Sequence, residues 1–326
     1  MNEQQEIDQA VAVLRRGGLV AFPTETDYGL GADAANPAAI ERLYRVKGRP
    51  GDHPVIVHLA DATQLAQWVS IVPAAAQQLA QKFWPGPLTL ILPKQPQVSA
   101  RLTGGQDTIG IRIPAHPVAR RLLQAFGGGI AAPSANRFGR ISATRAEHVR
   151  QEFGALIDQV LEGGACEVGI ESTILDLSRE RPVLLRPGHI AVADIEAVLG
   201  ETVDPMDDGA VRAPGTLAAH YAPRTPLRLV AADALLQQSK NAAQHGEQVA
   251  VLARSILAPA DGVAFWLQAP PDPRGYAHDL YTGLRQLDDA QCSLILVEQP
   301  PAGAAWAAVN DRLRRAAAGT RSEQPE

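Results

Sequence analysis

The chain has 326 residues, 46% of them hydrophobic and 20% charged, with a formal net charge of -5. That is enough apolar residue for a sizeable core and suggests roughly two domains, and the acidic balance argues against a protein built to coat nucleic acid. Two distant cysteines, Cys166 and Cys292, form no CxxC pair, so neither a disulfide framework nor a cysteine metal site follows, and a cytoplasmic setting is expected. The first residues, MNEQQEIDQAVAVLRRGG, read as an amphipathic helix over 6–16 rather than a secretory leader, and no run of about 18 apolar residues predicts a membrane span. A strand over 19–22 follows, then the loop FPTETDYGLGADA. Asn36-Pro37 supplies an N-cap and a first-turn proline for a helix that stops near Gly48.

Further on, a strand is expected over 54–59, helices near 62–69 and 73–83, strands over 88–92 and 109–113, and a helix over 117–126. A short strand, 130–132, leads into PSAN. Thr144 to Glu147 reads as a capping box opening a helix to about 153. Strands near 157–161, 172–177 and 183–186 and a helix over 193–199 complete the region. Prolines, glycines and acids dominate 200–226, which reads as a linker. From Leu227 a βαβ pattern resumes and predicts a small three-layer α/β domain to about 320, with 321–326 as a disordered tail. The divisions expected are 1–203, a linker over 204–226, and 227–320.

Several residues carry two readings each. Lys47 and Arg49, in RVKGRPGDHP, complement a helix C-terminus or grip a polyphosphate, arginine as a planar fork and lysine as a compact charge. Ser134 and Asn136 alternate at a strand end, as a local turn or as two groups aimed to one side. Arg112 interrupts an apolar strand; it faces solvent or clamps a carboxylate. His58, Ser172 and Arg186 also sit at strand ends, where open α/β sheets bind ligands. No GxxxxGK[ST] occurs, and no GxGxxG follows the first strand.

Taken in order, FPTETDYGLGADA, KGRPGDHPVIVH, FWPGPLTLIL, IGIRIPAHP, APSANRFGRISAT, GIESTILDL and LLRPGHI resemble the YrdC/Sua5 family. The likeness runs from residue 7 to about 200, and APGTLAAHYAPRTPL with the extra domain is similar to the longer, two-domain Sua5 type. The resemblance implies a twisted mixed sheet with helices, followed by a smaller Rossmann-like α/β domain. It implies a nucleotidyltransferase that makes L-threonylcarbamoyladenylate and pyrophosphate from L-threonine, bicarbonate or CO2, and ATP. Mg2+ would bridge the phosphates. The product serves tRNA modification through a downstream threonylcarbamoyl transferase. By the same resemblance Lys47 and Arg49 are catalytic. With His53, Thr108, Ser134, Asn136, Ser142, Arg186 and Tyr221 they bind ATP. Thr26, His58, Arg112, Ala132 and Ser172 would hold L-threonine.

His53 stands where the family usually has asparagine, and Pro214-Gly215-Thr216 where it has Pro-Gly-Met. No residue marks itself as a general base, so positioning is expected to matter more than proton abstraction. Two rival readings are an RNA-binding module, disfavoured by the acidic balance and few aromatics, and a hydrogenase-maturation carbamoyltransferase, disfavoured by the lack of zinc-finger-like cysteines.

Overall fold

Short apolar runs broken by glycines and Asn-Pro pairs form alternating strands and helices in the computed structural model, which describes residues 2–207, 209–259 and 263–320. The expected disordered tail, 321–326, lies outside the described residues. By contact density the chain divides into two units. One runs to Phe138 and from Ala143 to Thr216; the other joins Gly139–Ser142 to the residues from Leu217 on.

The first unit holds ten strands: β1 (Val20–Pro23), β2 (Tyr28–Asp33), β3 (Ile56–His58), β4 (Leu88–Pro93), β5 (Thr108–Arg112), β6 (Ile130–Ala131), β7 (Gln159–Val160), β8 (Thr173–Asp176), β9 (Val183–Arg186) and β10 (Asp204–Pro205). They form one mixed sheet in the order β10-β9-β8-β4-β5-β3-β6-β2-β1-β7. Strands β3 and β5 run parallel with His58 opposite Arg112, and β6 pairs antiparallel with both β3 and β2. Successive residues of β1 feed different cores. Ala21 packs with Leu30, Leu43 and Val57, while Val20 and Phe22 pack with Leu14, Leu122 and Ile130. Both faces are therefore apolar, which is why the strand reads as an unbroken hydrophobic run rather than an alternating one.

Helix α1 (Glu3–Arg15) begins at Asn2 with a reciprocal capping box to Gln5. Helix α2 (Pro37–Lys47) is capped by Asn36 and ends at Gly48 in the left-handed conformation, as its sequence signals. The remaining helices here are α3 (Ala74–Phe83), α4 (Ala100–Thr103), α5 (Pro117–Phe126), α6 (Ala146–Phe153) and α7 (Val192–Leu199).

Four expectations are corrected. Residues 28–33, read as loop, form β2. Residues 62–67 form a 3-10 helix rather than an α-helix. The capping box at Thr144 does not form: α6 starts one residue later than that box requires, with Arg145 as an N-cap making no side-chain hydrogen bond. The backbone N–H of Thr144 instead donates to His148 Nδ1 at 3.2 Å. The 200–226 stretch contributes β10 to the sheet.

The second unit is a four-stranded, all-parallel sheet, β11 (Leu227–Val230), β12 (Val249–Ala253), β13 (Phe265–Gln268) and β14 (Leu294–Glu298), in the order β11-β14-β12-β13. Helices α8 (Ala232–Gln244), α9 (Pro273–Asp289) and α10 (Ala307–Gly319) connect or close it. The central strands β12 and β14 are buried throughout, as expected of a parallel sheet covered by helices.

Candidate active site

The loop after β1 turns on its own side chains. Thr24 Oγ1 donates to the Asp27 carbonyl at 2.7 Å and accepts the N–H groups of Thr26 and Asp27 at 3.2 Å. All four residues from Thr24 to Asp27 are buried, although the stretch is polar. Their burial is balanced by Arg112 at the end of β5. Arg112 Nη2 pairs with Glu25 Oε1 at 2.7 Å, and Arg112 Nη1 donates to Thr26 Oγ1 at 2.9 Å. The other oxygen of Glu25 accepts the Ala115 N–H at 2.9 Å. Burial opposes the ionisation of Glu25, but the Arg112 charge and hydrogen bond, together with backbone N–H groups, outweigh it and hold the carboxyl below the usual range. Arg112 is 3% exposed and its Nε has no hydrogen-bond partner.

Beside Arg112 on the neighbouring strand stands His58. Burial and the Arg112 charge push its pKa down to about 3, so the ring is neutral, and its Nδ1 is without a hydrogen bond. Phe22 meets the ring edge-on with centroids 6.1 Å apart. Asp27 titrates the other way: burial and the nearby Glu171 carboxylate raise it to about 6.

Ser172 lies just before β8. Its Oγ is 2.8 Å from Thr89 Oγ1 and 3.1 Å from Arg186 Nη2, and its carbonyl accepts from Arg186 Nε and Nη2. Arg186 Nη1 donates to the Pro214 carbonyl at 2.9 Å, so the stretch after β10 returns to this cluster. Arg186, expected among the nucleotide contacts, therefore sits against Ser172 of the threonine set.

A second cluster gathers at the end of α2. Lys47 is buried, and its Nζ donates to the backbone carbonyls of Ser134, at 2.5 Å, and Asn136. Burial and the Arg49 charge lower its pKa to about 7. Arg49 Nη2 donates to the Pro54 carbonyl at 2.7 Å and its guanidinium lies 5.4 Å from the Phe138 ring centre. His53 packs against the same ring at 5.3 Å, and burial and Arg49 hold it below the ordinary histidine range. The PSAN segment is drawn in by β2. Leu30 donates to the Pro133 carbonyl, Ala135 to the Tyr28 carbonyl, and Gly29 bridges Ser134. Ala132 donates to the Ile56 carbonyl and lies beside Gly29.

Of the sequence-predicted residues, then, the structure brings Thr26, Arg112, His58, Ser172 and Arg186 into one buried polar region, and Lys47, Arg49, His53, Ser134 and Asn136 into another. The field of Asp27 reaches Lys47, Arg112 and Arg186, so it links the two. Thr108 begins β5, at the opposite end from Arg112. Ser142 is buried in the segment grouped with the second unit, where its carbonyl accepts from Arg285. Tyr221 is buried within the second unit, its ring 5.7 Å from Tyr281 and 5.3 Å from the Arg312 guanidinium. Sequence reasoning missed Glu25, Asp27 and Phe138. A carboxylate between two threonines at a strand end was the signal for Glu25.

Residues 12–188 match the profile of the Sua5–YciO–YrdC family, described as "Telomere recombination", and residues 190–318 match one described as "Threonylcarbamoyl-AMP synthase, C-terminal domain". The chain is 39% identical to the threonylcarbamoyl-AMP synthase of Pyrococcus abyssi, covering 96% of this chain and 94% of that one. It is 39% identical to the enzyme of the same name from Bacillus subtilis, covering 96% and 93%. The crystal structure of P. abyssi Sua5 complexed with L-threonine superposes with a TM-score of 0.90 at 37% identity, over 98% of this chain and 96% of that one. Escherichia coli YciO covers 60% of the chain with a TM-score of 0.52 at 28% identity. Matched over both units in sequence and in structure, the chain belongs to the Sua5–YciO–YrdC family, and to its two-domain branch.

Proposed function

We propose that this protein is an L-threonylcarbamoyladenylate synthase: it condenses L-threonine, bicarbonate or CO2, and ATP into threonylcarbamoyl-AMP and pyrophosphate, for threonylcarbamoyl-adenosine modification of tRNA. The observation that carries this reading is the near full-length likeness to proteins named threonylcarbamoyl-AMP synthase and to P. abyssi Sua5, crystallised with L-threonine. The reaction is a nucleotidyl transfer. The product would reach tRNA through a downstream transferase.

Residue roles follow from charge. Arg112, already half engaged by Glu25, keeps Nε for the threonine carboxylate, with the neutral His58, Thr26 and Ser172 and the backbone at Ala132 around it. Lys47 and Arg49 serve the phosphates, and His53, Thr108, Ser134, Asn136 and Ser142 are assigned as the further nucleotide contacts. Negative charge builds on phosphate oxygens as pyrophosphate leaves, and fixed cations in a buried site stabilise it at no reorganisation cost. Arg186 joins the two sets. Holding both reactants in line removes much of the entropic barrier.

Among the described residues no group of His, Cys, Asp and Glu side chains could hold a metal ion. The described residues thus offer no cage for Mg2+; an ion arriving with ATP would be held by phosphates and water, and no step here depends on it.

A mixed anhydride needs shelter from water. We assign that part to the 204–226 linker between a catalytic domain, 1–203, and a C-terminal domain, 227–320, that positions it, with Tyr221 as the nucleotide-facing residue of the linker. No helix among the described residues is long and apolar enough to cross a membrane. The decisive assay is pyrophosphate release from ATP with bicarbonate present. Release that requires L-threonine supports the reading; release that ignores it, or none, overturns it.

A further inference from the structure

Threonine is a zwitterion, so a site that grips its carboxylate with Arg112 also needs an acceptor for its ammonium group. Three carboxylates approach this region: Glu25, Asp27 and Glu171. Both oxygens of Glu25 are spent, one on Arg112 Nη2 and one on the Ala115 N–H. Asp27 is different. Its Oδ1 accepts from Thr26 Oγ1 at 2.6 Å, and that hydroxyl in turn accepts from Arg112 Nη1 at 2.9 Å. One hydroxyl therefore bridges the Asp27 carboxylate and the guanidinium, so a group for each charged end of an α-amino acid stands in the same buried region. Its Oδ2 has no donor among the described residues.

We propose that Asp27 takes the proton from the threonine ammonium and so prepares the amine for carboxylation. This rests on the synthase reading above. The proton moves from the ammonium to Asp27, leaving a neutral amine whose lone pair attacks bicarbonate. The new N–C bond forms, hydroxide leaves with an amine proton as water, and an N-carboxylate remains to attack the α-phosphate. Asp27 then returns its proton to solvent.

The surroundings suit a proton acceptor that works near neutrality. Burial and Glu171 raise Asp27 to about 6, while Thr26, Arg112 and Arg186 pull it down. Lys47 feels the same carboxylate from the α2 side. Above pH 6 the group is ionised and able to accept; below it the site arrives already protonated. The Arg112 charge beside a bound ammonium favours its deprotonation.

The test uses the full chain and the variant Asp27→Asn, whose amide oxygen still accepts from Thr26 but cannot take a proton. The forward reaction, threonine- and bicarbonate-dependent pyrophosphate release, should fall at least 100-fold in kcat. The wild-type acid limb near pH 6 should vanish from what remains. The reverse reaction, ATP formed from synthetic threonylcarbamoyl-AMP and pyrophosphate, begins beyond the amine step and should stay within about 3-fold of wild type. A wild-type forward rate in the variant, or equal loss in both directions, overturns the proposal while leaving the synthase reading intact. A wild-type chain without threonine-dependent release overturns both.

Discussion

The two halves of the candidate site solve the problem of buried charge in opposite ways. Around Arg112 the charge is balanced by protein: Glu25 pairs with it directly, and Thr26 and Ala115 complete the network. Around Lys47 no carboxylate pairs with the ammonium among the described residues; two backbone carbonyls hold it, and burial lowers its pKa to about 7. The first arrangement fits a ligand that is itself neutral overall, such as a zwitterion. The second is incomplete until an anion arrives. Removing a cation should therefore cost much stability at the Arg112 end and little at the Lys47 end.

The largest effect is expected from Arg112→Ala. It leaves Glu25 buried without its partner, which typically costs about 3–5 kcal/mol. Denaturant melts should show that loss, and the apparent threonine affinity should fall at least 100-fold with ATP binding nearly unchanged. An unaltered threonine requirement would remove Arg112 from its assigned role. Glu25→Gln, which keeps a hydrogen-bond acceptor beside Arg112, should lose less stability and only part of the threonine affinity.

Lys47→Met sets the comparison at its sharpest. Nucleotide affinity should drop about 10- to 100-fold, as expected for losing charge-assisted bonds of roughly 1.5–3 kcal/mol. Stability at pH 7 should change by no more than about 1 kcal/mol, because a lysine with a depressed pKa opposes folding and its loss offsets the two carbonyls left without a donor. The sign follows from linkage. Lysine ordinarily titrates near 10.5 and Lys47 near 7, so between those values the unfolded chain binds the extra proton. The penalty from Lys47 is thus full below pH 7 and fades as pH rises to about 10.5. A large stability loss at pH 7 would mean the cradle is balanced after all.

The same shift makes nucleotide binding a proton-linked event. Phosphates beside Lys47 favour its charged form and raise its pKa. At pH 8, above the value for the ligand-free protein, ATP binding should take up a proton; at pH 6 it should not, since Lys47 is already charged. Calorimetric titration in buffers of different ionisation heat measures this. Lys47→Met should abolish the uptake.

Much of the fold was legible because its signals are local. Asn36, Pro37 and Gly48 bracket α2 within one stretch of sequence, and the ends of α5 are marked by Pro117 and Gly127. Strand β2 was not legible, because glycine is a poor strand former whose role is set by neighbours far away in sequence. A Cβ on Gly31 would come within 2.9 Å of Ile130 and Phe22, and one on Gly29 within 3.1 Å of Ala132. The capping box at Thr144 failed for a related reason: His148 takes up the N–H that a free helix end would have shared. In the site, Arg112 and Lys47 stood out as charges in apolar or motif-like surroundings. Glu25 and Phe138 did not, since their partners lie tens of residues away or belong to another segment.

The smallest effect is expected at His53, where the family usually carries asparagine. A histidine beside a phosphate site suggests nucleotide binding that varies around neutral pH. Its surroundings argue otherwise: burial and the Arg49 charge hold it below the ordinary value of 6.5, while only Asp52 pulls upward, at 3.9 Å. From pH 6.5 to 8 the neutral ring therefore predominates and donates through one nitrogen, much as an asparagine amide does. His53→Asn should change ATP affinity by less than about 3-fold across that range. A difference should open only on acidification. There the unfolded chain protonates its histidine first, so the stability that His53 contributes is lost as pH falls below about 6.5, and the asparagine variant escapes that loss. Parallel ATP titrations and melts at pH 5.5, 7 and 8 separate the two regimes. A wild-type affinity that climbs steeply from pH 8 to 6.5 and is flattened by the substitution would show instead that the ring charges within the working range, placing His53 with the cations of the cradle rather than with its neutral wall.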